Sequence, residues 1–437
     1  MQSDAAIPPS FTSASPSREI SVLRLTPHFY WPQLERSGWP VQFDAIGGMQ
    51  TQIFGQTVAL AAAGVRQQVL TLRVPPAPTE WQYDAKTLIK GVRVPVLPLR
   101  SRLRGMMDLN ISWLLGIAAA WKKLRDPFNI VHVHWSGVSI PPLLTWVIKK
   151  LCRAKVVVTV HCSALVTYHP MSTFDKLLYR LSCALERRAL TAADHVTVLT
   201  PRLVPQLEGH GLQLKGKVSV VPDAIDIDEF VGNVTPAATA QFKERFGIPA
   251  DRRVIGYIGR VAREKGWRTL LDVAALLNER TMHVVVCGDG NERDLMEDEV
   301  RRRGMAHRFT ITGYLPHREV AVALSACDVM LLTSRHEEFG SVMLEAMAVG
   351  TPVVAFRVGG VPHVLADGEA GVLVESGATP VMAEAVRTLL DSPETCARLR
   401  AAGRKQVEQN FGRAASTNRM LEVYMSLLEE REPVPKS

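Results

Sequence analysis

One stretch constrains this chain more than any other: Thr333–Ala355, TSRHEEFGSVMLEAMAVGTPVVA, which reads as a single strand–loop–helix–strand unit. A strand over Val329–Leu332 runs into a polar loop, Thr333–Gly340. A helix then starts near Ser341, carries Val342, Leu344, Ala346 and Met347 on its apolar positions, and stops at Gly350. Thr351-Pro352 begins the next strand, Val353–Phe356. Glu337 on the loop and Glu345 about one turn into the helix can both face a ligand at the helix N-terminus. That end presents unpaired N–H groups and the positive end of a dipole, a seat for phosphate. Gly340 lets the backbone approach closely. An anion held between two carboxylates suits a phosphate joined to a hydroxyl-rich sugar, since a carboxylate can accept from two vicinal hydroxyls.

In this setting Glu337 and Glu345 form an E-x7-E pair inside S-x-x-E-x-F-G-x-x-x-L-E-A-M-A-x-G-x-P-V-V-A. That string resembles the donor-site signature of the retaining GT-B glycosyltransferases of family 4. The competing reading is a pair of solvated glutamates on an amphipathic unit. The joint register of loop, glycines and helix speaks against it.

The chain has 437 residues, enough for two domains with a core each. Its composition, 47% apolar and 22% charged, is that of a globular protein. The net charge of +8 is concentrated in the first half, at Lys86–Arg104 and again at Lys122, Lys123 and Arg125. A basic face of this kind attracts nucleotide phosphates or an anionic membrane. The stacking aromatics or recognition helix of a nucleic-acid binder do not accompany it, so no nucleic-acid partner is expected. Six scattered cysteines without a C-x-x-C pair fit reduced thiols of a cytoplasmic protein. Residues 1–18 read as a disordered tail rather than a signal peptide, and 431–437 as a charged tail.

Glu19–Leu25 is the expected first strand. After it, Thr26–Gln50 is long and aromatic, and ends in Gly47-Gly48 immediately before a helix at Thr51–Ala63. Loops of this length inside a compact domain tend to be functional, and a glycine pair before a helix is a weak phosphate-approach signal. The resemblance implies that Gly47 and Gly48 close over the donor, here with an insertion before them carrying Glu35, Arg36 and Asp44. That insertion is read equally as an acceptor-recognition segment or as surface decoration. Val69–Leu72 and Val94–Pro98 are further strands, and Met106–Leu124 is an amphipathic helix that either packs on the core or lies on an anionic membrane. Ile130–His134 and Val156–His161 are apolar enough to be buried parallel strands. His132 and His134 share a face of one strand but lack a third ligand nearby in sequence, so no metal site is assigned. His161 ends its strand, where doubly wound sheets hold their chemistry. Its T-x-H setting resembles the family histidine that donates to the sugar near the reacting carbon.

Val218–Phe230 resembles the family's domain crossover, with Asp223-Ala224 in place of Asn-Gly. The expected organisation is an N-terminal acceptor domain at 19–230 and a nucleotide-sugar domain at 231–411, with a last helix at 412–428 crossing back. In the second domain, G-R-x-x-x-x-K-G at Gly259–Gly266 resembles a diphosphate clamp made by Arg260 and Lys265. Tyr314 and Leu315, after the strand Phe309–Gly313, resemble the segment that pairs with a uracil edge. The fold class expected is α/β, with two Rossmann-like domains facing across a cleft.

The resemblance implies transfer of a sugar from a nucleotide diphosphate sugar with retention, without a metal or other cofactor. Arg260, Lys265 and the N–H groups near Phe339, Gly340, Ser341 and Val342 would stabilise the leaving diphosphate. Glu345 would take the ribose hydroxyls, Glu337 the sugar hydroxyls, and His161 the sugar face. The segments L-T-P-x-F, W-P-x-x-F-D-A-I-G-G-M-Q and H-C-S-A-L resemble actinomycete enzymes that add N-acetylglucosamine or glucose to 2-deoxystreptamine in aminoglycoside biosynthesis. A small cationic aminocyclitol needs carboxylates, for which Glu35, Asp44 and Asp223 are the candidates. The basic first half instead points to a lipid-linked acceptor, which ranks second to the aminocyclitol, and peripheral membrane contact is not favoured. A nucleotide-sugar epimerase or an inactive binding protein is the reading from a different class.

Overall fold

Fourteen strands divide into two sheets in the computed structural model, which describes residues 19–32, 48–73, 77–93, 117–118, 128–136, 140–167, 173–277 and 281–429. The first sheet comprises β1 (Ser21–Leu25), β2 (Arg66–Arg73), β3 (Glu80–Gln82), β4 (Thr87–Arg93), β5 (Ile130–Ser136), β6 (Lys155–Cys162), β7 (His195–Val198) and β8 (Val218–Val220). Their order is β3-β4-β2-β1-β5-β6-β7-β8, parallel throughout except for the edge pair β3–β4. The second sheet, all parallel, comprises β9 (Arg253–Ile258), β10 (Met282–Cys287), β11 (Phe309–Gly313), β12 (Val329–Leu332), β13 (Val353–Phe356) and β14 (Val372–Val374). Its order is β11-β10-β9-β12-β13-β14.

The burial explains the sequence pattern. In β6, Val156, Val157, Val158 and Val160 have no exposed surface, because helices cover both faces of the sheet. Each such side chain contributes about 1.5–3 kcal/mol of burial, and β-branching suits the pleat. The reversal of strand order falls between β1 and β5 in one sheet and between β9 and β12 in the other. At such switch points the loops diverge and leave a crevice at the carboxyl ends of the strands. The central unit sits at the second crevice.

Two connections run between the lobes side by side. Ile225 N–H donates to the Phe411 carbonyl at 3.0 Å, and Arg413 N–H to the Ile225 carbonyl at 3.0 Å. The helix Arg413–Glu429 then buries Met420, Val423, Tyr424, Leu427 and Leu428 against Val22, Leu60, Ile130 and Val157 of the first lobe. Asp226 caps a short helix, Ile227–Val231, by accepting from the Glu229 N–H.

The strand expected at Val94–Pro98, most of the helix expected at Met106–Leu124 and both tails lie outside the described residues. The structure instead has strands at Glu80–Gln82 and Thr87–Arg93, which the short polar EWQ and mixed TLIKGVR sequences did not announce. Among the described residues, no helix is long and apolar enough to cross a membrane.

Candidate active site

The β9 and β12 loops meet at Gly266. This residue takes φ +72°, and a Cβ there would run into the Thr333 carbonyl, so only glycine allows the two loops to touch. The close approach brings Lys265 to Glu337: Nζ donates to Oε1 at 2.7 Å, and Ser334 Oγ donates to the same oxygen at 2.7 Å. Glu337 is 7% exposed. Behind it, Gly360 N–H donates to the Glu337 carbonyl at 2.9 Å, and a Cβ on Gly359 (φ +53°) would collide with that carbonyl. Arg260, at the end of β9, pairs with Glu264 at 2.8 Å and is about one-third exposed. Both cations of the expected clamp thus pair with a nearby carboxylate, Lys265 with Glu337 and Arg260 with Glu264.

Glu345 stands in the first turn of the helix Val342–Val349 and accepts from His317 Nε2 at 3.0 Å. Burial works against protonation of His317, but the hydrogen bond and charge of Glu345 outweigh it, so its pKa is raised. His317 was not anticipated. Its one signal is position, two residues after Leu315. Leu315 and Phe339 are 6% and 2% exposed, and Phe339 packs edge-on against Phe411, so they can reach a ligand only through backbone. Tyr314 and Val342 are half-buried nearby, and Gly340 takes φ +81° as the turn into the helix requires.

Ser341 does not cap its own helix. Its hydroxyl donates to Asp223 Oδ2 at 2.7 Å, tying the crossover to the start of the helix Val342–Val349. Burial pushes the Asp223 carboxyl up to about 6, against the lowering effects of Ser341 and Arg413. Gly48 opens the first-lobe helix Gly48–Ala62 beside this contact and leaves little space there: a Cβ would stand 3.1 Å from Ser341 Oγ. Gly47, Glu35 and Asp44 lie outside the described residues.

His161 sits near the end of β6 and is 9% exposed. Burial lowers its pKa to about 3, so the ring is neutral at ordinary pH. It does not stand alone. His161 Nε2 lies 3.1 Å from His134 Nδ1, and His134 Nε2 lies 3.4 Å from Arg24 Nη1. Arg24 also donates to Gln56 Oε1 at 3.0 Å and to the Tyr424 hydroxyl at 3.3 Å. Tyr424 reaches His132 Nδ1 at 2.7 Å, and His132 Nε2 reaches Thr159 at 2.6 Å. The strand pair His132/His134 therefore stacks, centroids 4.3 Å apart, as part of a buried relay behind His161. Arg24 has no exposed surface and its Nε has no partner, so burial depresses its pKa. Sequence reading passed over Arg24, Gln56 and Tyr424, because a lone Arg in a strand and a Tyr in the last helix carry no local signal.

Against this geometry, the family model "Glycosyl transferases group 1" matches residues 239–406, and "Glycosyl transferase 4-like domain" matches 47–224. A 2-deoxystreptamine N-acetyl-D-glucosaminyltransferase from Streptomyces fradiae is 36% identical over 93% of this chain and 96% of its own length. A 2-deoxystreptamine glucosyltransferase from Streptomyces kanamyceticus is 38% identical over 83% of this chain and 95% of its own. Among solved structures, a sucrose-phosphate synthase from Thermosynechococcus elongatus superimposes with a TM-score of 0.80 at 23% identity, covering 94% of this chain and all of that one. A glycosyltransferase of lipopolysaccharide biosynthesis does so with a TM-score of 0.68 at 18% identity, covering 92% and 99%. At those identities the likeness is one of fold. Two parallel-sheet lobes, a cleft at both switch points and relatives matched from end to end lead to one assignment: the chain belongs to the group 1 glycosyltransferases and has the GT-B fold.

Proposed function

We propose that this glycosyltransferase moves a sugar from a nucleotide diphosphate sugar onto 2-deoxystreptamine, with retention of configuration, as a step of aminoglycoside biosynthesis. The observation that carries this reading is the 36% identity over 93% of the chain to an enzyme named for that acceptor. UDP-N-acetylglucosamine is the proposed donor. Of three relatives named for 2-deoxystreptamine, those from Streptomyces fradiae and Niallia circulans are N-acetylglucosaminyltransferases and the one from Streptomyces kanamyceticus is a glucosyltransferase.

In this reading, Lys265, Arg260 and the N–H groups at the start of Val342–Val349 stabilise the charge that develops on the leaving diphosphate. Each such donor is worth roughly 2–4 kcal/mol in the transition state. Glu345, oriented by His317 at 3.0 Å, takes the ribose hydroxyls, and Glu337 the sugar hydroxyls. Neutral His161 donates one hydrogen bond to the sugar near the reacting carbon. The acceptor hydroxyl attacks from the face the diphosphate leaves, and the departing phosphate oxygen takes its proton. Closure of the cleft keeps water from competing.

The test is mass spectrometry of the purified protein with 2-deoxystreptamine and, separately, UDP-N-acetylglucosamine, UDP-glucose and GDP-mannose. A product heavier by one N-acetylhexosamine is expected. Donor hydrolysis with no product from any of the three would remove the acceptor and leave the transferase reading.

A further inference from the structure

The motif around the first glutamate contains a second one that the proposed chemistry does not use. Glu338 occupies the open position in E-x-F-G, and its side chain is 7% exposed. Glu337 turns toward Lys265 and Ser334 of its own lobe, whereas neither carboxyl oxygen of Glu338 has a hydrogen-bond partner. Its surroundings belong largely to the other lobe. Its charge acts on Cys162, the residue directly after His161, and Arg202 acts on it from the start of the helix Leu203–Gly209. From its own loop, His336 Nε2 stands 3.8 Å from Oε2.

A second unsatisfied group lies on the same side. The Thr200 hydroxyl is fully buried without a partner. Thr200 Cγ2 stands 2.8 Å from where a Cβ on Gly360 would be, and the Glu338 carbonyl crowds that same glycine. The Glu338 backbone and the Thr200 side chain, one from each lobe, thus meet at Gly360, and each residue carries a buried polar group without a hydrogen-bond partner. Burial outweighs the pull of Arg202 and raises the Glu338 carboxyl to about 7. A carboxyl in this state gains no fold-stabilising bond from its position. It gains one if a ligand brings a cation.

We propose that Glu338 receives an ammonium group of the acceptor, so that the lobe carrying the donor also selects a cationic acceptor across the cleft. The inference rests on the aminocyclitol reading above. It makes amine-bearing cyclitols preferred over cyclitols bearing hydroxyls at the same positions.

Steady-state kinetics of wild type, Glu338→Gln and Glu338→Asp with 2-deoxystreptamine test it, with UDP binding measured for each variant to establish an intact donor lobe. The expected result is a KM for 2-deoxystreptamine raised at least ~10-fold by Glu338→Gln, the scale of one lost charge-assisted hydrogen bond. The donor KM should move less than twofold, and Glu338→Asp should recover part of the loss. An unchanged acceptor KM in Glu338→Gln overturns the proposal while leaving the acceptor assignment intact. So does an equal rise in both KM values or loss of UDP binding, which marks a structural role. Failure of the wild type itself to glycosylate 2-deoxystreptamine overturns the acceptor assignment and this proposal with it.

Discussion

Lys265 and Glu337 come from loops 72 residues apart and meet as an ion pair, Nζ to Oε1 at 2.7 Å, at the crevice where β9 and β12 diverge. The lysine side chain is 28% exposed and the carboxylate 9%, so the pair is partly shielded from solvent. Glu337→Gln keeps the shape and an oxygen for Ser334 but removes the charge that Lys265 and a sugar would share. Turnover should fall at least ~100-fold, the scale of one lost site contact in the transition state. Nucleotide release measured at saturating donor checks this, and a near-normal kcat would take Glu337 out of the site.

The carbonyl of Glu337 is held by the glycine turn behind it. Gly359→Ala places a Cβ against that carbonyl in a backbone conformation of φ +53°. Strain of this kind amounts to about 1–3 kcal/mol, and relieving it displaces the loop that carries Glu337. Both the urea midpoint and kcat/KM should drop. Loss of neither would mean that the turn has slack the structure does not show.

Tyr424 joins the last helix to the first lobe through Arg24 at 3.3 Å and His132 at 2.7 Å. Tyr424→Phe keeps the packing and removes the hydroxyl, leaving His132 Nδ1 short of its partner and Arg24 with one acceptor fewer. A destabilisation of about 1–3 kcal/mol is expected, with turnover reduced as His161 loses the order of the groups behind it. Equal stability of variant and wild type in chemical denaturation would show that the hydroxyl is dispensable.

Asp223 supplies a pH dependence whose sign follows from its burial. Its folded pKa, about 6, lies above the ordinary value of 3.8. Between these values the folded chain keeps a proton that the unfolded chain has released, so this group lowers stability as pH rises from about 4 to about 6. Asp223→Asn lacks that penalty. The variant should gain on wild type across the same window by up to about 3 kcal/mol, the free-energy equivalent of the two-unit shift, and hold the gain above it. A wild-type-to-variant difference in Tm that stays flat from pH 4 to 7 contradicts the assignment.

How much was legible in the sequence differs by residue. The strands Phe309–Gly313, Val329–Leu332 and Val353–Phe356 fall where pattern placed them, because runs buried on both faces and the turns that end them are local properties. The shape of the donor-side loop follows for the same reason, since its glycines and helix start sit within a few positions of each other. His132 and His134 show the opposite case. Their two-residue spacing determined only that they share a face of a strand; a tyrosine 292 residues further on decided that His132 binds a hydroxyl in a buried relay. Asp223 likewise read as a candidate acceptor carboxylate in a crossover; that Ser341, 118 residues away, donates to it was not visible in the chain order. The sequence by itself determined many of the elements and the α/β class, which rest on periodicity and short-range turn chemistry, and its motifs carried the resemblance to the family. Only the tertiary structure decided which polar groups are paired, which are neutral and which are buried unsatisfied, because desolvation and hydrogen bonding depend on neighbours that chain order does not specify.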